Sequence, residues 1–142
     1  MRVTSGVMRY LLDTNAVIAA LNDAAGTVGA RLRREATADI GVSAVVMHEL
    51  YFGAYRSAKL ERNLGLVDAL RLEVVPLDRE DARHAGEVRA GLAALGIPIG
   101  AYDLLIAGQA RARGLTLVTR NVREFSRVPA LTIENWHDDP GS

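Results

Sequence analysis

The chain has 142 residues, 49% hydrophobic and 24% charged, with seventeen basic side chains balanced by seventeen acidic ones. That composition fits one ordinary globular domain with a single core, and a net charge of zero argues against a protein that coats nucleic acid indiscriminately. The absence of cysteine excludes disulfides, thiolate metal sites and cysteine nucleophiles.

No apolar run is long enough to span a bilayer, and the first eight residues lack the apolar stretch of a secretory signal. A cytoplasmic location without membrane association is therefore expected. The patterned sequence starts just after Met8, which marks residues 1–8 as an N-terminal extension and makes Met8 an alternative start. Lys59 is the single lysine and lies in a charged helical stretch, and no glycine-rich turn ends in Gly-Lys-Ser/Thr. P-loop chemistry is thereby excluded.

The elements then read off in order. Arg9–Leu12 is an apolar strand that stops at Asp13, and a helix opens near Ala16. A second helix spans Thr27 to Arg34, and Asp39–Val42 is a short strand. Ser43 is a good N-cap for a helix from Ala44 to about Tyr55. Another helix covers roughly Leu60 to Leu70, and Glu73–Pro76 is the third strand. Asp78 caps a long helix over Arg79–Leu95. Gly96–Gly100 is a loop by its Gly and Pro content, followed by a helix from Ala101 to Arg113 with Gly114 at its C′ position. Leu115–Thr119 and Ala130–Glu134 are the fourth and fifth strands. Strands alternating with helices predict parallel βαβ units, and so an α/β fold: a three-layer α/β/α sandwich with a central, mostly parallel sheet. No repeat or linker divides the chain, so residues 9–136 form one domain with a C-terminal tail at 137–142.

Most acidic residues have plain explanations: Asp78 caps a helix, while Glu61, Asp68, Glu80, Asp81 and Glu87 read as solvated helix faces. Asp13 ends the first strand, at the carboxyl edge where open α/β sheets place their ligands. Glu49 shares a helical stripe with Val45, Val46, Phe52 and Gly53, and Asp103 shares one with Ile106, Ala107 and Ala110. A carboxylate on an apolar stripe needs a partner. Any one of the three has a structural explanation, since Asp13 is able to cap the following helix and Asp103 suits a helix N-terminus. Together they point to a shared cation. Three oxygen donors without cysteine, and histidines scattered at 48, 84 and 137, favour Mg²⁺ or Mn²⁺ over zinc.

By the same edge rule Thr119, which ends the fourth strand, and Asn121 just after it fall near Asp13. Asn121 is equally well read as a water-orienting group and as a turn residue. Arg120, Arg123 and Arg127 place positive charge beside the acids, which suits contacts to an anionic phosphate backbone.

Leu-Leu-Asp13-Thr-Asn15, His-Glu49-Leu-Tyr-Phe-Gly53, Tyr-Asp103-Leu-Leu-Ile-Ala107 and Val-Thr119-Arg-Asn121 with Phe125 resemble the PIN domain, and most closely the VapC-type toxins of bacterial VapBC toxin–antitoxin pairs. The resemblance runs from Arg9 to about Trp136. It implies a metal-dependent ribonuclease with invariant acids at Asp13, Glu49 and Asp103. Asn121 falls on a fourth polar position that is often aspartate, a departure that bears on a second metal. Thr119 matches the hydroxyl residue that commonly precedes it. The implied chemistry is one or two Mg²⁺ or Mn²⁺ ions on Asp13 and Asp103, with Glu49 direct or through water, activating a water against the scissile phosphate. A cognate VapB-type antitoxin, a structured RNA substrate and a homodimer are also implied. Rival readings are a non-catalytic RNA-binding PIN domain, a DNA-directed nuclease of the same fold, and an aspartyl-nucleophile phosphohydrolase. The last would need a second acid where Asn15 stands and a better-placed lysine than Lys59.

Overall fold

The structure is a computed structural model describing residues 8–138. Residues 1–7 of the expected extension and 139–142 of the expected tail lie outside the described residues. Among the described residues thirteen elements follow in order: β1 (Tyr10–Leu12), α1 (Thr14–Asn22), α2 (Thr27–Arg34), a 3₁₀ turn (Thr37–Asp39), β2 (Ile40–Ser43), α3 (Ala44–Arg56), α4 (Leu60–Asp68), β3 (Glu73–Val75), α5 (Arg79–Ala94), α6 (Ala101–Arg113), β4 (Thr116–Val118), α7 (Val122–Phe125) and β5 (Thr132–Glu134).

The five strands form one sheet in the order β3-β2-β1-β4-β5. Every pairing is parallel, with Leu12 opposite Val42 on one side and Val118 on the other. Helices cover both faces, as parallel sheets require, and β1 is accordingly apolar throughout and fully buried. The chain lays down β1, β2 and β3 outward in one direction and then returns past β1 to add β4 and β5. The order reverses between β1 and β4, and such a switch point opens a crevice at the carboxyl ends of those strands.

Local sequence sets the elements' ends. Ser43 accepts a hydrogen bond from the Val45 N–H and starts α3. Asp78 and Asp81 form a reciprocal capping box at the start of α5. Gly114 ends α6 with φ of 65°, in the left-handed region where glycine carries no steric cost.

One expectation needs correction. Asp81 is not on a solvated face: it is 1% exposed, and its carboxylate accepts from the Arg113 guanidinium and the Gln109 amide. Its helix is amphipathic through Asp81, Ala85, Val88 and Leu92, all buried, so the acid occupies a core position that Arg113 supplies with charge. After β4, residues 122–125 close into one helical turn that buries Phe125. Among the described residues, no helix is long and apolar enough to cross a membrane.

Candidate active site

Asp13 leaves the carboxyl end of β1 at the switch point. It is 5% exposed, its N–H bonds the Val118 carbonyl of β4 at 3.0 Å, and its side chain caps α1 by accepting from the Ala16 N–H at 2.8 Å. Burial raises its proton affinity above the ordinary carboxylate range. The Thr119 hydroxyl, the Ala16 N–H and the charge of His137 oppose that, and Glu49 adds to it. The capping role and the site position thus belong to the same residue. One carboxylate oxygen holds the helix while burial and a neighbouring acid disfavour its charge.

Glu49 approaches from the middle of α3. Its Oε1 accepts a hydrogen bond from the Thr14 hydroxyl at 2.7 Å. The stripe that carries it is apolar in composition but divided in burial: Val46 is buried, Phe52 and Gly53 face solvent, and Glu49 lies at the boundary, half-buried. No arginine pairs with it among the described residues.

Asp103 comes from the first turn of α6, above the buried Ile106, Ala107 and Ala110. Burial comes first among the causes that push its carboxyl up to about 6, followed by the charges of Glu124, Glu49 and Asp13. Asp13, Glu49 and Asp103 therefore lie within electrostatic reach of one another, although they are separated by 36 and 54 positions in sequence.

The other expected residues divide. Thr119 is fully buried at the end of β4, faces Asp13, and accepts the Asn121 N–H at 2.9 Å. Asn121 is half-buried and precedes α7, with its side chain not used as a cap. Arg120 and Arg123 are exposed. Arg127 donates to the Pro98 carbonyl at 3.2 Å and so ties down the loop that leads into α6.

Two residues at this edge carry no sequence motif. Glu124 acts on Asp103 from the turn of α7, and His137 acts on Asp13 from just beyond β5. His137 Nδ1 is buried without a hydrogen-bond partner. The edge rule applied to β4 also applies to β5, and would have brought His137 into consideration. Glu124 becomes visible once residues 122–125 are known to form a helical turn.

The donor set suits a hard divalent cation: three oxygen ligands, two with proton affinities raised by burial and mutual repulsion. It is not a closed cage, since among the described residues no three histidine or acidic side chains are grouped tightly enough to hold an ion by themselves. Mg²⁺ fits such a set, because it retains several waters and takes only one or two carboxylates directly.

The chain is similar to known proteins over most of its length. The PIN domain family model matches residues 10–131. The chain is 40% identical to the tRNA(fMet)-specific endonuclease VapC of Salmonella typhimurium, over 92% of this chain and 99% of that protein. It is 39% identical to ribonuclease VapC2 of Rickettsia felis, over 91% and 98% of the two chains. Among solved structures, DNA-bound VapBC from Salmonella typhimurium superposes with a TM-score of 0.86 at 40% identity, covering 91% of this chain and 98% of that one. VapBC2 from Rickettsia felis bound to a promoter DNA fragment gives 0.84 at 37% identity, covering 91% and 99%.

Proposed function

The chain belongs to the PIN domain family, and on that premise we propose that it is a VapC-type toxin: an endoribonuclease that hydrolyses phosphodiester bonds in structured RNA and is restrained by a VapB-type antitoxin. The observation that supports this reading is that Asp13, Glu49 and Asp103 lie within electrostatic reach of one another beside the switch point of a parallel sheet. Residues 9–136 are the nuclease domain, which acts in the cytoplasm as a homodimer. The solved relatives are complexes of VapB with VapC, which supports the antitoxin as partner.

Asp13 and Asp103 would hold Mg²⁺ or Mn²⁺, with Glu49 as a third oxygen donor, direct or through water. Such an ion would supply charge neutralisation at the scissile phosphate and a water acidified to serve as nucleophile. The protein's own groups do the positioning. Thr14 holds one oxygen of Glu49, so its other oxygen is the one available to orient a water. The buried Thr119 hydroxyl orients the Asp13 carboxylate, and the half-buried Asn121 is the polar group on the β4 side that would hold a phosphate oxygen or the attacking water. Arg120 and Arg123 contact the RNA backbone on the β4 side, and Arg127 adds charge there while bracing the 96–100 loop. Lys59 is exposed at the start of α4 and Asn15 supplies no second acid, which disfavours an aspartyl-nucleophile phosphohydrolase. The presence of all three acids disfavours a non-catalytic PIN domain.

The name of the Salmonella relative selects the first substrate to try, initiator transfer RNA. Antitoxin-free protein should cut it in Mg²⁺ or Mn²⁺, stop in chelator, and leave 5′-phosphate and 3′-hydroxyl ends. A water nucleophile gives those ends, whereas attack by the RNA's 2′-hydroxyl gives a cyclic phosphate. Cyclic ends, or cleavage that survives in chelator and in Asp13→Ala, would refute the assignment.

A further inference from the structure

The carboxylates that define the cleft also create a problem for any polyanion entering it. They repel phosphate, and Arg120 and Arg123 follow β4, on only one side of the site. Beside α3 and α6, an interaction indifferent to charge would add binding energy for the nucleotide without opposing these acids.

Two aromatic side chains stand where such an interaction is needed. Tyr102 immediately precedes Asp103 in the first turn of α6, and His48 immediately precedes Glu49 in α3. One residue is a step of about 100° around a helix, so each ring diverges from its neighbouring carboxylate and stands at the rim. The two rings meet edge to face, with centroids 5.2 Å apart and planes at 61°. Tyr102 is 49% exposed and His48 is also exposed. Among the described residues neither side chain makes a hydrogen bond. The mutual contact fixes the ring planes without covering both faces of either, an arrangement suited to receiving a third flat ring.

We infer that the Tyr102–His48 pair is a stacking platform for an unpaired nucleobase of the RNA adjoining the scissile phosphate. The inference rests on the nuclease reading above and adds to it a means of holding the substrate. Stacking onto an exposed aromatic ring is tolerant of base identity and unaffected by the acids beneath it. A paired base would have both faces covered by its neighbours, so the platform selects a nucleotide that is already splayed out or readily becomes so. Tyr102 and His48 are positioning residues and touch no reacting atom.

The test uses full-length protein and two readouts. In an Asp13→Ala background, which prevents turnover, a single-stranded RNA hexamer carrying one 2-aminopurine is titrated in Mg²⁺. Stacking should quench its fluorescence. Adding Tyr102→Ala should remove the quench and weaken binding about tenfold, while Tyr102→Phe and Tyr102→Trp should retain both. In the active background, Tyr102→Ala should raise KM for initiator transfer RNA about tenfold with little change in kcat. Undiminished quenching in Tyr102→Ala, equal losses in Tyr102→Phe, or a change of oligomeric state in Tyr102→Ala would overturn the platform, the last by showing the rings to be a protein contact. Wild-type protein that leaves the transfer RNA intact, with Tyr102-dependent quenching still present in the probe assay, would defeat the nuclease reading and support the platform.

Discussion

Thr14, the first residue of α1, donates its hydroxyl to Glu49 in the middle of α3, 35 positions away, at 2.7 Å. The bond joins the helix that Asp13 caps to the helix that carries Glu49, and so sets the spacing of two acids that repel each other. Thr14→Val should keep the fold, cost about 1 kcal/mol in urea unfolding, and slow cleavage on the order of tenfold by releasing Glu49. Thr14→Ser should restore both. Full activity in Thr14→Val would mean that Glu49 is placed by its helix alone.

Asp103 gives a pH dependence with a definite sign. Its folded-state carboxyl titrates at about 6 against an ordinary 3.8, so between those values the folded protein binds more protons than the unfolded chain. Stability from this residue therefore falls as pH rises through that window and stays low above it. After allowance for partial solvent screening, the loss is on the order of 1–2 kcal/mol. Metal-free Asp103→Asn should match or exceed wild-type stability above pH 6 and lack cleavage activity. Added Mg²⁺ should raise the wild-type melting temperature more than that of the variant. Equal shifts would place the cation elsewhere.

Asp81 shows the opposite behaviour. Burial alone would raise its carboxyl, but hydrogen bonds from Arg113, the Asp78 backbone and Gln109 outweigh it and hold it below the ordinary range. Its contribution to stability is thus present above pH 4 and is lost as pH falls through the depressed value. Removing Arg113 leaves a nearly buried charge without its partner. Arg113→Ala should cost on the order of 2–4 kcal/mol by denaturant unfolding at pH 7, and Asp81→Asn in the same background should recover part of that.

Two glycine substitutions should act in opposite directions. A Cβ at Gly108 in α6 would lie 2.6 Å from backbone atoms of Ala85 in α5, so Gly108→Ala should force the helices apart and cost about 1–3 kcal/mol. Gly65 in α4 has open space around its Cβ position, and Gly65→Ala should stabilise by roughly 0.5–1 kcal/mol through helix propensity. Thermal melts of the two variants decide both.

The alternation of apolar runs and capped helices carried the architecture: Ser43, Asp78 and Gly114 act where their residue types suggest, and the strand-edge rule set Asp13 and Thr119 on adjacent strands. Asp81 was misjudged because one acid at a helix start resembles any other in sequence. Its spacing of four and seven residues from the apolar Ala85 and Val88 was the available signal. The influence of Glu124 and His137 depends on how α7 and the segment after β5 fold back over the cleft, which no periodicity reports. The orientation of Phe52 was equally hidden, since an apolar residue near a helix's buried stripe often remains in solvent.

The Asp81–Arg113 pairing also sets a measure along α6. Arg113 is fastened at the helix's far end, and Asp103 stands ten residues earlier, about 15 Å along the axis. A single residue inserted or deleted between them would leave the clamp intact and every helical hydrogen bond available, yet swing Asp103 by about 100°. The acid would then turn away from Asp13 and Glu49. For this stretch of chain, length itself is a constraint on keeping the three acids together: substitutions on the outer face of α6 leave Asp103 in place, while indels do not.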